Sequence, residues 1–371
     1  MPLSRTAAVL LMLSLVLCAC AGRPNANVLK TVAAPRTPEK TVTVYAATNR
    51  ARAAGPDNAF TAGRAAATSY ARYTIAIPPT HQEGRIEWPK GAADPQKSFA
   101  VVEQASLSHK AFTQEIADSA GGAGPGNRRI GIFVHGFNYN YQEGLFRLAQ
   151  MAADTDLDGA PVLFSWPSQA TVAGYLADRE SVTYSRDALT GMLIDLSKNR
   201  PVEEVILFGH SMGGWLVMEA LRQLKLEGRD DVLARLQVVL AAPDIDPDVF
   251  RAQLAVIGPM ATPIAVLVSK DDIALKASSL LAGDLGRVGA LDVRDPKVRD
   301  AAEKEGVQIV DISAIDATDG LKHDRYVGLA HLLPKLSTQR ETLGRTGSFV
   351  LDAVGQTISS PFRLASQVIN P

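Results

Sequence analysis

From Arg129 onward, short apolar runs and longer amphipathic stretches take turns along the chain. The runs 130–134, 162–165, 205–208, 236–241, 264–268 and 307–312 are rich in Val, Ile and Leu and predict strands apolar on both faces. Between them, apolar residues recur at helical spacing over 141–154, 178–196, 213–226, 247–254 and 273–281. Continuous apolar strands separated by amphipathic helices mean an α/β fold with a mostly parallel sheet covered on both faces. Upstream, 41–48, 70–78 and 99–107 alternate or run apolar with β-branched residues and predict an N-terminal β portion over 41–110. The Gly/Pro stretch 121–126 lacks G-x-G-x-x-G spacing and leads into a strand, so it reads as a loop and not a phosphate cradle. Residues 346–371 form a weakly patterned tail, read as an extra helix or a partly ordered segment.

The N-terminus follows a different pattern. Met1 to Arg5 is short and basic, Thr6 to Leu17 is nearly all apolar, and small residues follow at Ala19, Ala21 and Gly22, which is the pattern of an export signal. The apolar run falls well short of the ~20 residues needed to cross a bilayer. Leu17-Cys18-Ala19-Cys20 resembles a bacterial lipoprotein processing box, and that resemblance implies a diacylated Cys20 at the new N-terminus. Ala21 after it implies the outer membrane. The expected organisation is a signal peptide at 1–19, a lipidated tether at 20–40, a folded α/β domain at 41–345 that includes the N-terminal β portion, and the tail at 346–371.

Composition narrows the function classes. The 371 residues are 46% hydrophobic, and 38 basic against 39 acidic residues give a net charge of -1. With no Lys/Arg stripe, there is little field for phosphate, and nucleic acid is set aside. Cys18 and Cys20 are the only two cysteines, so no thiol nucleophile or disulfide is expected in the body. Paired-His metal spacing is absent too, and neither a metal nor a cofactor is implied.

The candidate chemistry lies at strand ends. Val205 to Phe208 runs into Gly209-His210-Ser211-Met212-Gly213 and then into a helix, the context that G-x-S-x-G needs to lift a Ser hydroxyl above a sheet. Ser211 is the candidate nucleophile. The earlier strand 130–134 ends in His135-Gly136-Phe137-Asn138, whose Phe137 amide, with that of Met212, is expected to form the oxyanion hole. His135 reads as a structural residue of that loop. The acid follows the run 264–268: Asp272 leads, Asp271 is its neighbour, and Asp244 or Asp246 after the preceding strand is the minor alternative. The base lies beyond 307–312, where His323 in a polar loop is preferred to His331 in an apolar, helix-like stretch. Trp166, Tyr139 and Tyr175 could line an acyl pocket or pack in core or rim.

Further strings join these: Tyr45-Ala46-Ala47-Thr48-Asn49-Arg50, Gly84-Arg85-Ile86-Glu87 with Pro89, Ser165-Trp166-Pro167-Ser168, Tyr175 with Asp178, Asp244-Ile245-Asp246, and His323 with Tyr326. Together they resemble a family of bacterial α/β-hydrolase proteins of largely unassigned function, often exported lipoproteins. The resemblance spans roughly 42–336 and implies Ser211 as nucleophile, Asp272 as acid and His323 as base. Lys322 departs from the small residue usual there. The expected activity is hydrolysis of a small-molecule carboxylic ester at the cell envelope, with the bilayer as partner through Cys20. An amidase, a thioesterase, or a tethered binding protein with a vestigial triad would carry the same residues. The interval 242–263 is too short for a cap domain, and only 276–306 is long enough to shade the pocket. An open, partly apolar cleft admitting small soluble esters is therefore expected.

Overall fold

Among the described residues, the predicted apolar runs form the middle of one eleven-stranded sheet. The computed structural model describes residues 23–33, 38–54, 58–122, 128–155, 159–198, 202–332, 350–352 and 357–359. In chain order the strands are β1 (Lys40–Arg52), β2 (Phe60–Ile77), β3 (Ala100–Leu107), β4 (Arg129–Val134), β5 (Ala160–Ser165), β6 (Glu204–His210), β7 (Leu236–Ala241), β8 (Ala265–Val268), β9 (Gln308–Asp311), β10 (Val350–Asp352) and β11 (Thr357–Ser359). The helices are α1 (His109–Gly122), α2 (Tyr141–Thr155), α3 (Tyr175–Ser197), α4 (Met212–Leu226), the single turn α5 (Asp230–Leu233), α6 (Pro247–Ile257), α7 (Ile273–Leu281) and α8 (Pro296–Glu305).

The sheet order is β11-β10-β9-β8-β7-β6-β4-β5-β1-β2-β3. Pairing is parallel from β10 through to β1 and antiparallel in β1/β2, β2/β3 and β10/β11. Successive strand residues point to opposite faces, so each apolar run feeds two cores. Ile132, Leu207 and Leu240 pack with α3, α4 and α6 on one face, whereas Phe133, Phe208 and Val239 pack with α2 on the other. Each fully buried side chain of this size contributes about 1.5–3 kcal/mol relative to exposure. Helices cover both faces of a mostly parallel sheet, as the alternation of apolar strands and amphipathic helices predicts.

The expected N-terminal β portion is present and extends the main sheet, because Tyr45 to Thr48 of β1 pair in parallel with Val162 to Ser165 of β5. Several other elements differ from the sequence expectation. β2 begins at Phe60, ahead of the predicted 70–78; its first half is Ala-, Thr- and Gly-rich, without a clean period, and is held by pairing to β1. Helix α1 was not predicted, since few of its residues are apolar, although Phe112, Ile116 and Ala120 line up to bury one stripe. It takes in Gly121 and Gly122 of the expected loop 121–126, while 123–127 lie outside the described residues. Helix α8 buries only Ala302 and so has no apolar stripe, yet Asp295 caps it and Gly306 ends it in the left-handed region at φ 66°. Where the tail is described it is strand, not an extra helix: β10 pairs in parallel with β9, covering a sheet edge that would otherwise expose unpaired amides.

The tether expectation for 20–40 also changes. Residues 23–33 are seated on the domain: Asn25 caps the 3₁₀ turn Ala26–Leu29, Leu29 is fully buried, and the Val32 amide donates to Val101 O at 2.9 Å. Residues 1–22, with Cys18, Cys20 and the expected export signal, lie outside the described residues. Among the described residues, no helix is long and apolar enough to cross a membrane. Because β4 to β9 are mutually parallel, their carboxyl ends share one edge, and Phe137, Ser211, Asp272 and His323 all lie in loops leaving that edge.

Candidate active site

Ser211 occupies the turn between β6 and α4 with φ 53° and ψ −123°, a region that side-chain-bearing residues seldom adopt. Such a conformation costs about 1–3 kcal/mol and persists only where neighbours hold it. Here the Ser211 amide donates to Ala241 O at 2.9 Å, and Ser211 O accepts from the Asp244 amide at 3.2 Å. The turn also needs bare backbone beside it. A Cβ on Gly213 would lie 2.3 Å from His135 O and 2.4 Å from Val134 O, and one on Gly209 would lie 2.8 Å from Gly214 Cα. Gly213→Ala is therefore expected to lower unfolding free energy by about 3 kcal/mol, as an overpacked site does, with urea denaturation as the measurement.

The loop after β4 lies directly against this turn, since a Cβ on Gly136 would come 3.0 Å from Ser211 Cβ and 2.8 Å from His210 Nδ1. Phe137 follows, half-buried, with its ring edge-on to Tyr175 at 5.3 Å. Met212 is the first residue of α4, so its amide is among those that no carbonyl within the helix can reach. His135 is wholly buried, with Nδ1 2.9 Å from Gly136 O and Nε2 3.1 Å from Ser165 Oγ, stacked between Trp166 and Tyr139. Burial, aided by the Arg50 charge, pushes its pKa down to about 3, so the ring is neutral. Trp166 is fully buried and donates from Nε1 to His135 O at 2.7 Å, which makes it a pillar beneath the loop and not a pocket wall.

Arg50 is the residue that sequence reasoning placed in a motif without giving it a part. Its side chain is buried under the loop and donates to Ser165 Oγ at 2.9 Å, Ser168 O at 3.1 Å and Tyr139 O at 2.8 Å. One guanidinium thus ties the loop after β4 to the loop after β5. Burial lowers its pKa to about 10, which still leaves a cation at neutral pH. Nothing in the alternation of β1 marks Arg50 as inward-facing, because a buried Arg becomes tolerable only through partners far along the chain.

In the loop after β9, His323 Nδ1 lies 2.7 Å from Asp272 Oδ2. Asp272 is fully buried, and its Oδ1 accepts from the Leu275 amide at 2.9 Å, so one carboxylate both caps α7 and holds the imidazole. Burial alone lowers the His323 pKa, but the Asp272 hydrogen bond and charge, with Asp319 and Asp244, outweigh it and raise the pKa above the ordinary value. Asp271 points elsewhere, accepting from Ser269 Oγ at 2.8 Å, Lys322 Nζ at 2.8 Å and Arg325 Nη2 at 2.9 Å. Although partial burial opposes it, those partners bring its pKa down to about 2. His210 sits behind His323, ring centres 4.7 Å apart, with Nε2 3.3 Å from His323 O. His331 belongs to the 3₁₀ helix Arg325–Leu332, and its side chain lies outside the described residues.

The two minor acid candidates have other partners. Asp246 caps α6 through the Asp248 and Val249 amides. Asp244 is buried and paired with Arg287 Nε at 2.7 Å, and it accepts from Ser278 Oγ at 2.8 Å and Tyr175 Oη at 2.9 Å. That network was not foreseen, and it draws part of the excursion 276–306 against the site. Among the described residues, no group of three or more His, Cys, Asp or Glu side chains is gathered as a metal ion would need.

A family model described as an α/β hydrolase of unknown function matches residues 113–340, more than half of the chain. An uncharacterized protein of Nostoc sp. is 36% identical over 61 residues, a stretch covering 16% of this chain and 16% of that protein's length. Among solved structures, a hydrolase from Agrobacterium vitis aligns over 60% of this chain and 84% of its own, at 14% identity and a TM-score of 0.30. A lipase-esterase related protein of Clostridium acetobutylicum aligns over 58% and 93%, at 12% identity and a TM-score of 0.25. A structure from work on two Rhizomucor miehei esterases aligns over 96% and 93%, at 11% identity and a TM-score of 0.27.

Proposed function

Since the chain belongs to this family of α/β hydrolases of unknown function, we propose that it is a serine hydrolase of carboxylic esters, held at the cell envelope by an acylated Cys20. The observation that carries the reading is the 2.7 Å bond from His323 Nδ1 to a fully buried Asp272, on the same sheet edge as a Ser211 held at φ 53°. With Nδ1–H donated to the carboxylate, Nε2 of the neutral ring is left as a proton acceptor.

In the proposed reaction, His323 Nε2 takes the Ser211 proton as Oγ bonds to the ester carbonyl carbon. The carbonyl π pair moves onto oxygen, where the Phe137 and Met212 amides donate to it. Collapse breaks the ester C–O bond, and the departing alkoxide takes the proton from His323. Water then attacks the acyl-enzyme while giving a proton to His323, and collapse releases the carboxylic acid and returns the proton to Ser211. Asp272 keeps the useful tautomer and stabilises the imidazolium in both halves.

A fluorophosphonate probe with a panel of ester, thioester and amide substrates tests this reading. Labelling of Ser211 with hydrolysis of esters ahead of amides and thioesters is expected, and a protein that neither labels nor hydrolyses any of the panel would overturn it. The pH profile is a second check. A protonated His323 cannot accept the Ser211 proton, so kcat/KM should fall as pH drops through the His323 pKa. Because that pKa is raised, the half-point of the acid limb is expected above the ordinary imidazole value of ~6.5. A half-point below it would mean that another group is titrating.

For location, the reading is an exported lipoprotein of the outer membrane facing the periplasm. Cys20→Ser is expected to move the protein from the membrane fraction to the soluble periplasmic fraction, because two acyl chains suffice for stable anchoring and their loss removes it. Unchanged fractionation would reject the acyl anchor.

A further inference from the structure

We propose that the sheet edge carrying Ser211 is the surface that lies on the lipid bilayer, and that the ester cleaved is the acyl ester of an amphiphile held in that bilayer. The proposal rests on the serine-hydrolase reading and on the acylated Cys20. Its first support is the point at which the chain joins the domain. Arg23 Nε donates to Glu143 Oε1 at 2.9 Å and Nη1 to Asn138 Oδ1 at 2.8 Å, and the guanidinium also bonds Asn138 O and Ala170 O. Pro24 O accepts from Asn140 at 3.0 Å and from Gln142 at 2.7 Å. Asn138 directly follows Phe137, so the N-terminal segment is fastened to the rim of the candidate oxyanion loop. Cys20 stands three positions before Arg23, a reach of at most about 11 Å even when fully extended. Acyl chains on Cys20 therefore bring the bilayer surface to that rim.

The second support is what the same edge exposes. Tyr175 Oη and Ser278 Oγ both bond Asp244, whose amide bonds Ser211 O, so the start of α3 and the body of α7 lean on one carboxylate from two sides. Their inner faces are thus already occupied. Their outer sides carry large apolar side chains among the charges of Glu180 and Lys276: Val172, in the turn before α3, and Leu176 are 61% and 73% exposed, and Leu280 and Leu281 are 67% and 66% exposed. Ile273, Leu280 and Leu281 fall at i, i+7 and i+8 on the outward side of α7, which they share with Ala277 and a single charge, Lys276, while its Leu275 and Ser278 face inward. A helix with its partnered side inward and its apolar stripe outward is reversed relative to what water favours. Singly exposed leucines are ordinary, but two apolar ridges flanking the site, the first of them next to Ala170 where the anchor segment is fastened, match an interfacial seat.

The test uses the full-length lipoprotein matured and purified from membranes. In the anchor reading Cys18 leaves with the signal and Cys20 is acylated, so Leu176→Cys and Leu226→Cys each add one labelling site. Leu226, 58% exposed at the end of α4, lies towards the opposite end of the sheet and is the control. Each labelled protein is reconstituted into phosphatidylethanolamine and phosphatidylglycerol vesicles carrying brominated lipid. Quenching at least threefold stronger at position 176 is expected; equal quenching, or stronger quenching at 226, overturns the orientation. The second arm compares a fluorogenic acyl ester carried in the vesicles with a soluble short-chain ester. A Leu176→Ser, Leu281→Ser double variant is expected to lose at least tenfold on the vesicle ester while staying within twofold on the soluble one. Equal losses on both, or no loss on either, overturn the substrate assignment. A protein that stays out of the membrane fraction rejects the anchor. One that is anchored and oriented but never labels with fluorophosphonate rejects the hydrolase reading instead.

Discussion

Ser211→Ala is expected to abolish fluorophosphonate labelling and to lower ester turnover by on the order of 10⁴- to 10⁶-fold, with thermal stability nearly unchanged. The loss is large because the hydroxyl is the only atom in the proposed cycle that forms the covalent bond. The stability effect is small because the turn is held by backbone bonds to Ala241 and Asp244, which alanine leaves intact. Nucleophile and base act as one unit, so His323→Ala should fall to the same level, and the double variant no further. His331→Ala, by contrast, should alter stability more than rate. Steady-state kinetics with thermal melts check all four, and substantial turnover in Ser211→Ala would mean that the nucleophile lies elsewhere.

Asp272→Asn carries the second large effect, a loss of about 10⁴-fold in kcat, against less than tenfold for Asp271→Asn. An Asn at 272 can still accept from the Leu275 amide with its Oδ1, which keeps the α7 cap that Asp272 now provides. Its remaining nitrogen then faces His323 Nδ1 in place of a carboxylate oxygen. That reverses the hydrogen bond, places the imidazole proton on Nε2 and leaves no acceptor for Ser211. Asp271 meets only Ser269, Lys322 and Arg325, so its loss touches the loop and not the imidazole. Equal losses from the two variants would break the assignment, and so would a folded Asp272→Asn protein at full rate.

The two carboxylates illustrate how far sequence reasoning reaches. Chain order and the end of an apolar strand placed both in one loop beside the site, but adjacent residues on a turn point in different directions. Only the path of the loop decides which one meets His323, 51 positions away. Capping was legible as a competing use for an Asp here; that both uses fall on Asp272 follows from its two oxygens facing different elements. Helix α1 and the first half of β2 were missed for a simpler reason. Their apolar residues are sparse, and both segments are held by what they pack or pair against, not by a period of their own.

The features legible in the residues are local: the apolar runs of β4 to β9, the amphipathic helices between them, and the small residues that let a strand turn sharply at Ser211. These are legible because a strand or helix face is set by residues within a few positions of one another, and a strained turn by its immediate neighbours. Other features emerge only on folding: β1 extends the sheet, and Arg50 lies beneath the loop after β4. Asp244 likewise pairs with Arg287, and Arg23 is fastened at the rim. Each of these is a contact between groups far apart in the chain. A buried guanidinium or carboxylate is tolerable only when such distant partners satisfy it, and no periodicity along the chain records where those partners come to rest.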